Sequence, residues 1–274
     1  MVSGILKACI PVALLAASAC VWADDPPAAS KPPPAPAPPP PPLTVKAQVG
    51  YVSSHGDSNA QTANAKISVI YNTGDWKHDL ELAGLYGKSN DIVSAERLVA
   101  GWQSNYNFSP RMYTFGALDY NDDKFSGFQY QETVSTGLGY SFIKLADATL
   151  DAQVGVGYRR LRPEVLVPLP DGEYERTPED EESGTVATAT IKGMYAFNSS
   201  TKILDVLAAQ SGSDNTMVQN DLNLQVNMSK ALAITAGYEI IHNSSPPAGL
   251  TKNDTLVTFN LTYAFPTSPA APNP

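Results

Sequence analysis

The chain has 274 residues, a formal net charge of −9 and only 16% charged side chains. The acidic balance excludes nucleic acid as a partner, because phosphate binding needs a basic face. The charged fraction lies well below the roughly one quarter usual for soluble domains, yet mean hydropathy is only −0.18, so apolar and polar residues are interleaved and not gathered into long apolar helices.

The opening segment, MVSGILKACIPVALLAASACVWA, carries Lys7, then small apolar residues, then Val21-Trp22-Ala23 ahead of Asp24 and Asp25. It reads as a signal peptide over residues 1–23, cleaved after a small-x-small site. The apolar run is short and no stop-transfer charge cluster follows, which argues against a membrane-spanning helix. The stretch from Ala17 to Cys20 resembles a lipoprotein box with Ala17 in place of the usual Leu, so lipidation of Cys20 is an alternative. Both cysteines, Cys9 and Cys20, lie in this segment. The exported chain then has no thiol, no disulfide framework and no thiolate metal site, and nothing in it calls for a cofactor.

Residues 24–42 form a linker dominated by the tract PPAASKPPPAPAPPPPP. Proline fixes φ and removes donors, so the tract is a polyproline II spacer of roughly 50 Å at ~3.1 Å per residue. The folded domain is expected over residues 43–265, with a disordered tail over 266–274.

From Leu43 the chain breaks into runs of period two separated by turn chemistry. Strands are expected at 43–53, 60–72, 75–88, 94–108, 111–122, 127–143, 147–162, 184–198, 201–211, 216–229, 231–243 and 253–265. Each reaches the ~9–11 residues that a tilted strand needs to cross a bilayer, where soluble sandwiches use ~5–6. The connections alternate. Short turns (NTGD, FSPR, KLAD, NSST, MSKA) take turns with longer polar loops, as in barrels with tight periplasmic turns and larger external loops. Aromatic residues fall into two sets. Tyr71, Trp76, Phe108, Tyr113, Phe142, Phe197 and Phe265 lie toward the periplasmic rim, and Tyr51, Tyr86, Tyr120, Tyr130, Tyr158 and Tyr238 toward the external rim, where amphipathic rings favour headgroups. The fold class is therefore all-β: a transmembrane antiparallel up-and-down barrel of twelve strands.

Parity separates a lipid face, exemplified by Val45, Val69, Leu80, Leu98, Leu138, Val154 and Leu224, from a lumen face. The lumen candidates are Lys46, Lys66, Lys77, Asp79, Glu81, Arg97, Asp151, Arg159, Asp221 and Glu239, together with the amides Gln48, Gln103, Gln153, Asn223, Gln225 and Asn227 and the hydroxyl of Thr235. Strand 111–122 is ambiguous, because Tyr113, Phe115 and Ala117 compete with Met112, Leu118 and Tyr120. Gly137, Gly139, Gly155 and Gly157 lie inside strands and point to kinks or close packing in the lumen. Twelve strands lie between side-chain-filled small barrels and open porins, so charges of both signs either plug the interior or line a narrow path.

No catalytic motif occurs. His55 and His242 fall toward external loops, and His78 falls on the lipid-facing parity near the periplasmic rim. A lipid-facing Ser–His pair at one height would mark a lipid-modifying enzyme. HNSS at 242–245 does not supply it, since adjacent strand residues point to opposite faces. Arg160 and Arg162, at the external end of their strand beside Arg159, are candidates for lipopolysaccharide phosphates, or for a rim set of ion pairs with Glu164 and its neighbours. The acidic loop DGEYERTPEDEE is read as solvated, with a bridging divalent cation as the other option. Tyr263 and Phe265 close the last strand.

The segments GDWKHDLELAGLYGKSN, AERLVAGWQSNYNFSPRMYTFGALDYNDDKFSGFQYQ, GLGY, VGYRRLRPE and HNSSPPAGLTKNDTLVTFNLTYAF resemble domain-of-unknown-function family 481, the YdiY-like salt-induced outer membrane proteins. The resemblance runs from about Val45 to Phe265. It implies a barrel in the cell outer membrane of a Gram-negative bacterium and supplies no catalytic residues. The terminal aromatic of Tyr263 and Phe265 also resembles the signal that barrel assembly machinery reads, here followed by an additional tail. The expected protein is a monomeric, porin-like barrel without enzymatic chemistry, in contact with outer-membrane lipid and lipopolysaccharide. It would act as a narrow channel or as an envelope or salt-stress structural protein. The alternatives are an outer-membrane lipid-modifying enzyme and a soluble periplasmic β-sandwich binding module.

Overall fold

A computed structural model describes residues 41–54, 60–90, 92–170, 174–213, 215–247 and 250–266. The leader, nearly all of the proline tract, His55 and the tail beyond Pro266 lie outside these residues.

The strands follow one another as β1 (Leu43–Ser54), β2 (Ala60–Thr73), β3 (Trp76–Ser89), β4 (Ile92–Asn107), β5 (Met112–Asp123), β6 (Phe128–Lys144), β7 (Ala148–Pro168), β8 (Tyr174–Pro178), β9 (Glu182–Ala196), β10 (Thr201–Ser211), β11 (Thr216–Asn227), β12 (Leu232–Asn243) and β13 (Asn253–Phe265). Twelve of them form one closed antiparallel ring, in which each strand pairs with its sequence neighbours, β7 with β9, and β13 with β1. The closing seam pairs Val45 with Phe265 and Gly50 with Asn260. Closure matters because an unpaired strand edge in hydrocarbon costs several kcal/mol per backbone group.

The short turns are built by local side chains. Asn198 Oδ1 accepts the amides of Ser200 and Thr201, both at 2.8 Å, and the hydroxyls of Ser109 and Ser229 accept those of Met112 and Leu232 at 2.9 and 3.0 Å. These Asx and Ser turns fix three of the tight connections without tertiary help. The expected strand ends hold to within two residues, with one exception. The segment 163–183, read as a loop, instead extends β7 to Pro168 and folds back as β8, pairing Val165 with Thr177 and Val167 with Glu175. Two short alternating runs on either side of LPDG form a hairpin; its acidic composition hid the pattern.

The two faces separate as parity requires. Val49, Leu80, Leu82, Val134, Leu138, Val154, Val156, Val257 and Phe259 are exposed on the outer wall, while Asn105, Gln153, Arg159, Thr235, Asn260 and Thr262 are buried on the inner one. The ambiguity in β5 resolves against the rim assignment of Tyr113. Tyr113, Phe115 and Ala117 point inward and are buried, whereas Met112 and Leu118 face outward.

Candidate functional site

Side chains bridge the lumen at one level and join β4, β5, β7 and β9 along one side of it at a second. At the upper level Arg97 on β4 pairs with Glu239 on β12, at the opposite side of the ring. Arg97 also donates to Asn121 Oδ1 at 3.3 Å, and Gln219 donates to Asp221 at 3.0 Å and to Glu239 at 3.4 Å. Both partners of the ion pair are mostly shielded, with side chains 12% and 19% exposed. A pair this enclosed needs the surrounding amides to satisfy its remaining lone pairs and protons.

At the lower level Gln103 Nε2 on β4 donates to Gln153 Oε1 on β7 at 3.0 Å and to Asn105 Oδ1 at 2.7 Å. Lys192 on β9 reaches Gln103 Oε1 at 3.4 Å, and the Tyr113 hydroxyl reaches Gln153 Oε1 at 3.4 Å. These side chains form a septum. Above it is a chamber of about 260 Å³ lined by Asn121, Gln131, Thr188, Thr190, Gln210 and Gln219 among others, and below it is a vestibule of about 760 Å³ lined by Asn72, Lys77, Asn105, Ser141, Lys144 and Asp151 among others. Gln103 and Lys192 line both.

The septum rests on a packed sector of wall. Phe115 and Tyr113 lie against Gly137, Gly139 and Gly155, and no side chain fits beneath them. A Cβ on Gly139 would lie 2.0 Å from Tyr113 Cζ, and one on Gly137 2.1 Å from the Val154 carbonyl and 2.8 Å from Phe115 Cε1. The strand glycines therefore serve close packing in the lumen.

The register puts each lumen candidate on the inward parity. Lys66 pairs with Glu81 at 2.6 Å and Lys77 with Asp79 at 2.9 Å. Asp151 accepts from Ser141, and Arg159 donates to the Asn215 carbonyl at 3.1 Å. Lys46 faces inward opposite Ser68 and Ala264. Inward groups that escaped the sequence reading include Asp119, Asp123, Lys192 and Lys202. Their signal was the parity of β5, β9 and β10, legible only once the neighbouring register is known.

At the external end, Arg160 and Arg162 take the outward parity beyond Tyr158. Glu181 receives both Nε and Nη2 of Arg160, at 3.1 and 2.9 Å, and the Tyr130 hydroxyl at 2.5 Å. The Arg160 hydrogen bonds hold the Glu181 carboxyl below the usual carboxylate range. Arg162 donates to the Glu179 carbonyl at 3.1 Å, while Glu164 is taken by Arg176 at 2.5 Å. At the periplasmic end Tyr263 and Phe265 are half exposed on the outer wall, their rings edge to face at 4.9 Å.

Residues 47–265 match the model of the family described as a protein of unknown function, DUF481. The chain belongs to this family. Among DUF481 relatives it is 24% identical over 226 residues to the uncharacterized protein YdiY of Escherichia coli K12, covering 79% of this chain and 81% of that one. Solved structures that resemble it include the NanC porin, at 13% identity, 82% of this chain, 100% of that chain and a TM-score of 0.45. An outer-membrane channel from Pseudomonas putida F1 matches at 8% identity, 81% and 94% coverage and a TM-score of 0.47.

Proposed function

We propose that the chain is a narrow outer-membrane passage for small polar solutes, held shut at rest by the Gln103–Gln153–Lys192 septum. The supporting observation is that two solvent-sized chambers of about 260 and 760 Å³ share Gln103 and Lys192 as their common lining. Of the hydrogen bonds across the boundary, Gln103 to Gln153 is of ordinary length at 3.0 Å and those of Lys192 and Tyr113 are long at 3.4 Å. Each is worth only about 0.5–1.5 kcal/mol net, so thermal opening is accessible without unfolding the wall. In planar bilayers the parent should give rare, small conductance steps, and Gln103→Ala with Gln153→Ala should give larger and more frequent ones. Correctly folded variants that stay silent would overturn the passage and leave a purely structural barrel.

Residence in the outer membrane follows from the same reading, with Tyr263 and Phe265 as the closing signal for assembly, and with Arg160 and Arg162 meeting lipopolysaccharide phosphates only through the guanidinium nitrogens that Glu181 and the Glu179 carbonyl do not take. Phe265→Ala should lower outer-membrane abundance several-fold, while deletion from Pro266 onward should not. The opposite result would show that the tail carries the signal.

A further inference from the structure

The outer wall carries a constellation that a passage does not use. His78 on β3 and Ser104 on β4 are register partners on the bilayer-facing parity. His78 Nδ1 and Ser104 Oγ lie 2.9 Å apart. Their neighbours on this wall are Leu80, Tyr71, Trp76 and Trp102, all exposed. The pair adds nothing to the β3–β4 ladder, whose backbone groups are already paired.

We propose that Ser104 is a nucleophile and His78 its base, acting on the acyl ester of a phospholipid in the periplasmic leaflet. Three observations carry this. The separation is one across which a proton passes directly from hydroxyl to imidazole. The base is also oriented, by rings instead of by a carboxylate. Tyr71, Trp76 and Trp102 lie nearly parallel to His78, with centroids at 6.3, 5.9 and 6.5 Å and interplanar angles of 14°, 4° and 8°. Finally, the depth suits an ester. Trp76 and Tyr106, with centroids 5.0 Å apart, mark the headgroup level at the periplasmic end. His78 is two residues further in, about 6–7 Å along the strand, where glycerol esters lie and water still reaches. Tyr71, Trp76 and Trp102 are each more than two-fifths exposed, so a lipid reaches the pair from the side.

In the reaction, Ser104 Oγ bonds to the ester carbonyl carbon as its proton passes to His78 Nδ1. Collapse breaks the bond to the glycerol oxygen, which takes that proton and leaves as lysophospholipid. Water then attacks the acyl-Ser104 by the same route, releasing a fatty acid and restoring the serine.

The test uses the full barrel in vesicles of phosphatidylethanolamine, with an alkyl fluorophosphonate as probe and mass spectrometry to locate the adduct. The adduct is expected on Ser104, with labelling and fatty-acid release both falling at least tenfold in Ser104→Ala and in His78→Gln. Heat-modifiable migration and unchanged conductance show that the variants remain folded. A folded parent left unlabelled at Ser104, or labelling indifferent to His78→Gln, would overturn the assignment. Since the lumen is untouched by either substitution, this outcome is separate from the fate of the proposed passage.

Discussion

On β2–β4 and β12 the inner wall holds paired charges, Lys66 with Glu81, Lys77 with Asp79 and Arg97 with Glu239. On β5–β7 it holds Tyr113, Phe115 and Ala117 against strand glycines. The charged sector leaves room for water around long, flexible side chains. The packed sector leaves none between its rings and the wall, because a ring fills the space that a Cβ would need. Rigidity thus belongs to one side of the lumen and adaptability to the other. A passage that opens should do so by movement of the charged and amide side chains, with the β5–β7 wall fixed as the surface they close against.

The largest break in this contrast should come from Gly137→Ala. Its new methyl meets backbone at 2.1 and 2.6 Å, which cannot be relieved by a rotamer change, and overpacking of this kind costs about 3 kcal/mol. The urea midpoint of refolded protein in vesicles should fall accordingly, while Gly101→Ala on the inner face of β4, where the nearest atom to a Cβ is Asp119 Oδ1 at 3.6 Å, should leave it in place. Equal effects would dissolve the distinction between packed and open wall. Next in size is Arg97→Met, which strands Glu239 in a mostly shielded position, at about 2 kcal/mol after allowance for lumen water. Adding Glu239→Leu should recover most of that loss, because the stranded charge and not the missing contact is the source of the cost. Lys66→Met should cost no more than about 0.2–1 kcal/mol, since both partners are more than one third exposed, at 36% and 43%.

The smallest effect lies outside the membrane. Arg160 depresses the Glu181 carboxyl below its usual range. A group with a depressed folded value contributes above its unfolded value and loses that contribution as pH falls through the folded one. The β8–β9 connection should therefore stay anchored through the pH range in which free carboxylates titrate, and loosen only under stronger acid. Glu181→Gln should give the loosened behaviour already at neutral pH, read as faster proteolysis between Pro178 and Glu182. Identical cleavage rates would show that the anchor carries no weight.

Most of the fold was legible because membrane strands obey one period and the turns announce themselves; Thr73-Gly74-Asp75 and Asn198-Ser199-Ser200 are unambiguous. The faces of β1–β4 and β11–β13 were legible too, since polar and apolar residues there divide by parity. The face of β5 was not. Both of its parities carry apolar residues, one for lipid and one for the glycine-backed interior, and composition cannot tell these apolar surroundings apart. The β7–β8 hairpin was masked by acidic residues that are solvated at the external end whether or not they pair. His78 could be placed on the outer wall from its own strand, but its meeting with Ser104 depends on the register between β3 and β4, which no residue in either strand declares.

The Arg97–Glu239 bridge joins staves on opposite sides of the ring. In mechanical terms it is a tie-rod. A bilayer presses sideways on whatever it surrounds, and that pressure changes when the envelope swells or shrinks. A tube tied across its bore resists lengthening of the tied diameter, and so resists being flattened at right angles to it.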